Sequence, residues 1–171
     1  MIFGDIERFA FDASFHHGPS RVRICLWIFG DRVGDPTKEC DLALLLEELR
    51  SVLADRRRES ALFFRAEARD FVDTVRRGVT GYDASAEEEQ RAIDEMWARF
   101  RLVIVAGGLE DIALFLVECS GRARLIVADA GGPPLSQYDL LAGEVDRVLV
   151  HAFEGFVAIE EYLKEVAEDV R

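Results

Sequence analysis

Histidines, cysteines and carboxylates are the residues with which this chain could do chemistry, so their spacing comes first. His16 and His17 are adjacent in the segment H-H-G-P-S. No Asp, Glu or Cys stands beside them at metal-ligand spacing, and neighbouring side chains diverge from an extended backbone. A shared ion is therefore not expected. His151 lies off the apolar stripe of the last helical segment and reads as a boundary residue, not a general base. Cys25, Cys40 and Cys119 are odd in number and far apart, with no C-x-x-C pair. That pattern suits reduced, mostly buried thiols in a reducing compartment. Cys119 sits at a strand end with no sequence-local histidine to activate it. No serine stands in a G-x-S-x-G elbow. Gly107-Gly108 follows a strand-like run, but neither G-x-G-x-x-G nor G-x-x-x-x-G-K-[ST] surrounds it, so a turn is expected there. The many carboxylates form no readable pair, because sequence does not say which ones meet in space. The expectation is a binding protein with no catalytic residues, metal or cofactor.

The elements that carry these residues fall into three blocks. Phe9, Phe11, Ala13 and Phe15 alternate with small or polar residues, the period of a half-buried strand. His16–Ser20 is a turn. Val22, Ile24, Leu26 and Ile28 share one face of a second strand running to Phe29. Cys25, Trp27 and Phe29 point the other way, either under a helix or as an exposed aromatic anchor. Gly30-Asp31 reads as a tight turn into Arg32-Val33.

The second block is helical. Leu42, Leu45, Leu46, Leu49 and Leu53 recur at helical spacing, with Thr37 or Asp41 as N-cap and Arg56–Arg58 closing the helix. A second helix spans Ser60 to Arg77 with Phe64, Ala68, Phe71 and Val75 inward, and Gly78 or Gly81 stops it. Ser85-x-x-Glu88 is a capping box opening a third helix that carries Ala92, Ile93, Met96, Trp97 and Phe100.

Strands return at Leu102–Ala106, then at Asp111–Glu118 and Arg122–Asp129 joined by Ser120-Gly121. Gly131-Gly132-Pro133-Pro134 leads into a long final helix. Its stripe is Leu141, Val145, Val148, Leu149, Ala152, Phe156, Ile159, Leu163 and Val166. Strands, helices, strands and a helix in separate runs predict an α+β fold. In it, a largely antiparallel sheet from the N-terminal and C-terminal hairpins packs on a central helical block and the long C-terminal helix. The 171 residues suit a single domain over 1–171, half of it apolar (50%) and thus able to build a core.

Charge narrows the partners. With 21 Lys plus Arg against 33 Asp plus Glu, the formal net charge is -12. Nucleic acid and anionic membranes need a basic footprint, so neither is expected, whereas a basic protein would be attracted. No apolar run approaches the ~20 residues of a membrane helix and no secretory signal is visible, which points to the cytosol. Acidic residues concentrate in two places. Glu87, Glu88, Glu89, Asp94 and Glu95 surround the short third helix, where acids in a first turn suit the helix dipole. Glu154, Glu161, Glu165 and Glu168 line the outer face of the last helix. There like charges at i,i+4 oppose each other and acids oppose the dipole. A fraying, solvated turn or a partner-binding face would each account for that.

Several segments together resemble a known family. They are Met1-Ile2-Phe3-Gly4-Asp5 leading to Phe9 and Phe11, Cys25–Gly30 (C-L-W-I-F-G) with Val33-Gly34-Asp35, Phe115–Glu118 with Ala123–Val127, and Gly143–Val148. They are similar to the bacterial polymorphic-toxin immunity proteins of immunity protein family 42, over nearly the whole chain. The resemblance implies a small cytosolic protein that binds and blocks the C-terminal domain of a cognate secreted toxin, with no catalytic residues to carry over. Many such toxins are nucleases with basic substrate surfaces, and an acidic inhibitor can mask those. Glu87, Glu88, Glu89, Asp94, Glu95, Glu161, Glu165 and Glu168 are then the candidate partner contacts. Two other readings stay open: a small enzyme or ligand-binding protein with a pocket between sheet and helices, and an adaptor without inhibitory role. Oligomeric state is not legible.

Overall fold

A computed structural model describes residues 1–15, 20–54, 56–80, 99–130 and 132–169, giving only the backbone course for 76–80 and 167–169. In chain order the strands are β1 Ile2–Asp5, β2 Phe9–Phe15, β3 Arg21–Ile28, β4 Asp31–Val33, β5 Glu39–Asp41, β6 Arg101–Leu102, β7 Ile112–Cys119, β8 Arg122–Asp129 and β9 Pro134–Leu141. The helices are α1 Leu42–Ala54, α2 Ala61–Arg65, α3 Ala68–Thr80 and α4 Glu144–Asp169, with a 3-10 turn at Gly107–Leu109. The architecture is α+β, and every pairing between named strands is antiparallel. The N-terminal and C-terminal hairpins lie in two sheets, within two compact units: 1–54, 104–111 and 143–171, and 55–103 with 112–142.

The first unit holds the five-stranded sheet, in the order β1-β2-β3-β4, with β5 also on β3. Register puts Phe9, Phe11 and Ala13 opposite Ile28, Leu26 and Ile24, and all six are buried. α4 lies on this face through Phe156, whose ring meets Phe3, Phe11 and Phe15 edge-on at centroid distances of 5.5, 5.9 and 6.4 Å. Gly155, in mid-helix, makes that approach possible. A Cβ there would stand 2.8 Å from the Phe3 ring, which outweighs the ~1 kcal/mol a glycine costs a helix. α1 buries Leu42, Leu45, Leu46, Leu49 and Val52, and its Arg50 lies over the Phe153 ring of α4.

Three readings of this unit shift. The hairpin turn is Phe29-Gly30, not Gly30-Asp31, because Ile28 pairs with Asp31. Both turn residues have positive φ, 51° and 83°, as a two-residue turn matched to sheet twist requires. For a phenylalanine that conformation costs roughly 1–2 kcal/mol. Second, Asp41 is not simply a cap: it is a β5 residue whose carboxylate takes Arg21 at 3.1 Å. Third, Leu102–Ala106 is not one strand. β6 ends at Leu102, and the N–H groups of Val105 and Ala106 donate to the Glu48 carboxylate of α1 at 3.1 and 3.0 Å.

In the second unit the sheet order is β6-β7-β8-β9. Ser120-Gly121 forms the expected two-residue turn, with φ 49° and 80°. Ala113, Phe115, Val117, Ile126 and Ala128 on one face form a core with Phe71 and Val75 of α3 and with Phe100. Arg56–Arg58 do not close α1, which ends at Ala54. Arg58 is buried, and its C=O accepts from the Glu118 N–H beside an isolated parallel bridge at Glu59. The helix expected over Ser60–Arg77 is broken at Ala66, with Ser60 as its N-cap. Arg124 explains the break: its guanidinium donates to the Phe63 and Ala66 carbonyls at 3.1 and 2.5 Å and sits over the Phe71 ring. Gly78 does not stop α3, which runs to Thr80. β9 was not expected. It is an edge strand on which only Leu140 is buried, so it lacks the alternation that marks a half-buried strand, and Pro134 fits its first position. Leu141 therefore belongs to β9 and is exposed, outside the α4 stripe.

Candidate partner interface

Three of the acidic residues singled out on α4 face solvent. Glu154, Glu161 and Glu165 are exposed, Lys164 pairs with Glu160 at 2.9 Å, and Tyr162 and Val166 stand exposed beside the acids. The apolar stripe fades accordingly: Val145, Leu149, Ala152 and Phe156 are buried, Leu163 half-buried. The Glu168 side chain, and Glu87, Glu88, Glu89, Asp94 and Glu95 with the third helix up to residue 98, lie outside the described residues, as do His16 and His17.

A second polar surface covers the face of the N-terminal sheet opposite α4. Arg23 pairs with Glu39 at 2.8 Å and Arg21 with Asp41 at 3.1 Å, a ladder of opposed charges across β3 and β5. Farther along, Asp12 accepts from the Trp27 indole N–H at 3.1 Å, and Arg32 lies 4.7 Å over the same indole. Trp27 is thus half-buried beneath an arginine, a covering that neither sequence alternative foresaw. A groove of about 240 Å³ opens here, lined by Asp12, Ser14, Arg23, Cys25, Arg32 and Pro36. Burial pushes the Cys25 thiol pKa up, and the neighbouring Asp12 adds to it, so this sulfur is a poor nucleophile. Cys40, buried and donating to the Val22 carbonyl, is pushed up to about 11, chiefly by burial. Among the described residues no cluster of three or more His, Cys, Asp and Glu could hold a metal, and no helix is long and apolar enough to cross a membrane. These surfaces offer charge and aromatic contact to a partner.

The third surface is the sheet end formed by the β1–β2 and β3–β4 turns. The Gly30 N–H donates to the Ile6 carbonyl and the Phe29 N–H to that of Arg8, at 2.8 and 2.9 Å, which locks the two turns together. Ile6 and Phe29 are 38% and 43% exposed, large values for residues so firmly placed. Arg8 lies 5.8 Å over the Phe29 ring and grips Glu144, at the start of α4, with two 2.7 Å hydrogen bonds. Asp5, Glu7 and Asp31 are exposed around them. Sequence reasoning marked Phe29 as one possible anchor. It missed Ile6 and Arg8, because nothing local shows that two turns 20-odd residues apart meet.

The structure resembles the crystal structure of CdiI from Burkholderia dolosa AUO158, with a TM-score of 0.66 over 91% of this chain and 99% of that one, at 16% sequence identity. At that identity the likeness concerns the fold. No match was found among curated proteins. A sequence model described as immunity protein 42 matches residues 1–153, which include the second and third surfaces with Glu144, but not the α4 face of Glu154, Glu161, Glu165 and Glu168. The chain belongs to the immunity protein 42 family.

Proposed function

We propose that this protein acts in the producer's cytosol by binding the toxic C-terminal domain of a cognate secreted toxin and neutralising it, by occupancy and without catalysis. Family membership over residues 1–153 carries this reading. The local chemistry supports it: two thiols are deactivated by burial, and the charges on the open sheet face pair with one another instead of converging on a reacting atom. The net charge of -12 favours a toxin with a basic surface, such as a nuclease. Glu161, Glu165 and Glu168, together with Glu87, Glu88, Glu89, Asp94 and Glu95, are the positions that would steer the encounter.

Co-expression with the toxic domain of the neighbouring gene tests the reading directly. Growth should be rescued and the two proteins should co-purify. Loss of viability with no complex would overturn it. The electrostatic component has its own test, since screened charges lose their reach beyond ~10 Å at 0.1 M salt. The association rate should fall steeply as salt rises, and reversal of Glu161 and Glu165 to lysine should slow it. A rate indifferent to salt removes the steering and leaves the binding role standing.

A further inference from the structure

The Phe29 turn breaks two rules at once. Its φ of 51° lies where a bulky side chain is strained, and its ring is 43% exposed, although asparagine or glycine would satisfy the turn without either penalty. Strain of this kind persists where the surroundings over-determine it, and it concentrates at binding sites. Here the over-determination is visible. The two backbone hydrogen bonds to Ile6 and Arg8 fix the turn, while Arg8, clamped by Glu144, holds the ring from one side. The other turn with the same geometry, Ser120-Gly121, carries a small polar residue at the strained position.

We infer that Phe29, with Ile6 beside it and Asp5, Glu7 and Asp31 around it, is a preorganised knob that inserts into an apolar cleft ringed by Lys and Arg on the toxin domain. The proposal rests on the toxin-binding reading above and adds to it the surface that does the binding. An aromatic side chain already held in one place loses little entropy on docking, which is what makes such residues dominant anchors. The acidic rim selects a basic partner and disfavours an acidic one, a second copy of this chain included.

The discriminating variant is Phe29→Asn, which removes the ring and gives the turn a residue suited to positive φ. Its melting temperature should equal or exceed that of the parent, while its Kd for the toxic domain of the neighbouring gene should rise at least about 30-fold. Ser120→Asn, at the matching turn, should stabilise similarly and leave Kd unchanged. If Phe29→Asn binds within threefold of the parent, or melts lower with Kd unaltered, the ring is structural and the knob is wrong. Should that variant not fold, Ile6→Ser reads the same patch and must weaken binding tenfold or more. A parent protein that binds no toxin domain sinks the family-based reading itself. Concentration-dependent dimers that Phe29→Asn abolishes, with toxin affinity intact, would reassign the patch to self-association and overturn the proposal.

Discussion

Glu48 offers the sharpest check on how α1 holds the 104–106 segment in place. Its carboxylate accepts the N–H groups of Val105 and Ala106, the point at which the chain leaves β6. Truncation to alanine leaves both donors without that acceptor, and their surroundings differ. Val105 is 40% exposed, so water can replace the lost bond, whereas Ala106 is 2% exposed and its donor stays dry. An unsatisfied buried donor costs about 1–3 kcal/mol. Glu48→Ala should therefore destabilise by about 2 kcal/mol, which in a chain of this size lowers Tm by about 4–8 °C. Glu48→Gln keeps an acceptor oxygen and should fall within about 1 kcal/mol of the parent at pH 7. The pH dependence has a definite sign. Burial raises the Glu48 pKa above the usual carboxylate range, with the two backbone N–H groups only partly opposing it. A raised folded pKa means stability that is complete below the unfolded value and lost as pH rises through the folded one. The advantage of the parent over Glu48→Gln should then shrink between pH 4 and pH 7 in calorimetric melts. A Glu48→Ala protein melting within 1 °C of the parent, or an advantage that grows with pH, would refute this account.

Two further outcomes can be checked on the isolated protein. Phe156→Ala removes the ring on which Phe3, Phe11 and Phe15 converge and should cost about 3–5 kcal/mol, read as a lower urea midpoint at unchanged m-value. Alkylation with iodoacetamide at pH 8, followed by mass spectrometry, should label half-buried Cys119 first and spare Cys25 and Cys40, which are buried and held protonated. Fast labelling of Cys40 would contradict its burial.

Period and turn chemistry were enough to read from sequence the β2 and β3 strands, the β7–β8 hairpin with its Ser120-Gly121 turn, α1 and the long α4. In each, hydrophobic spacing and local propensity agree. What sequence missed depends on partners distant along the chain. β9 is a strand because β8 offers it a ladder, not because its own residues alternate. The helix expected over Ser60–Arg77 breaks because Arg124, from a strand some 60 residues on, takes the carbonyls that a continuous helix would use. Leu102–Ala106 leaves the sheet because Glu48 captures its N–H groups. The candidate surface at the sheet end follows the same logic. Composition alone determined the acidity of this protein, but only the tertiary structure decided that Phe29, Ile6 and Arg8 share one sheet end, because backbone hydrogen bonds between two separate turns put them there.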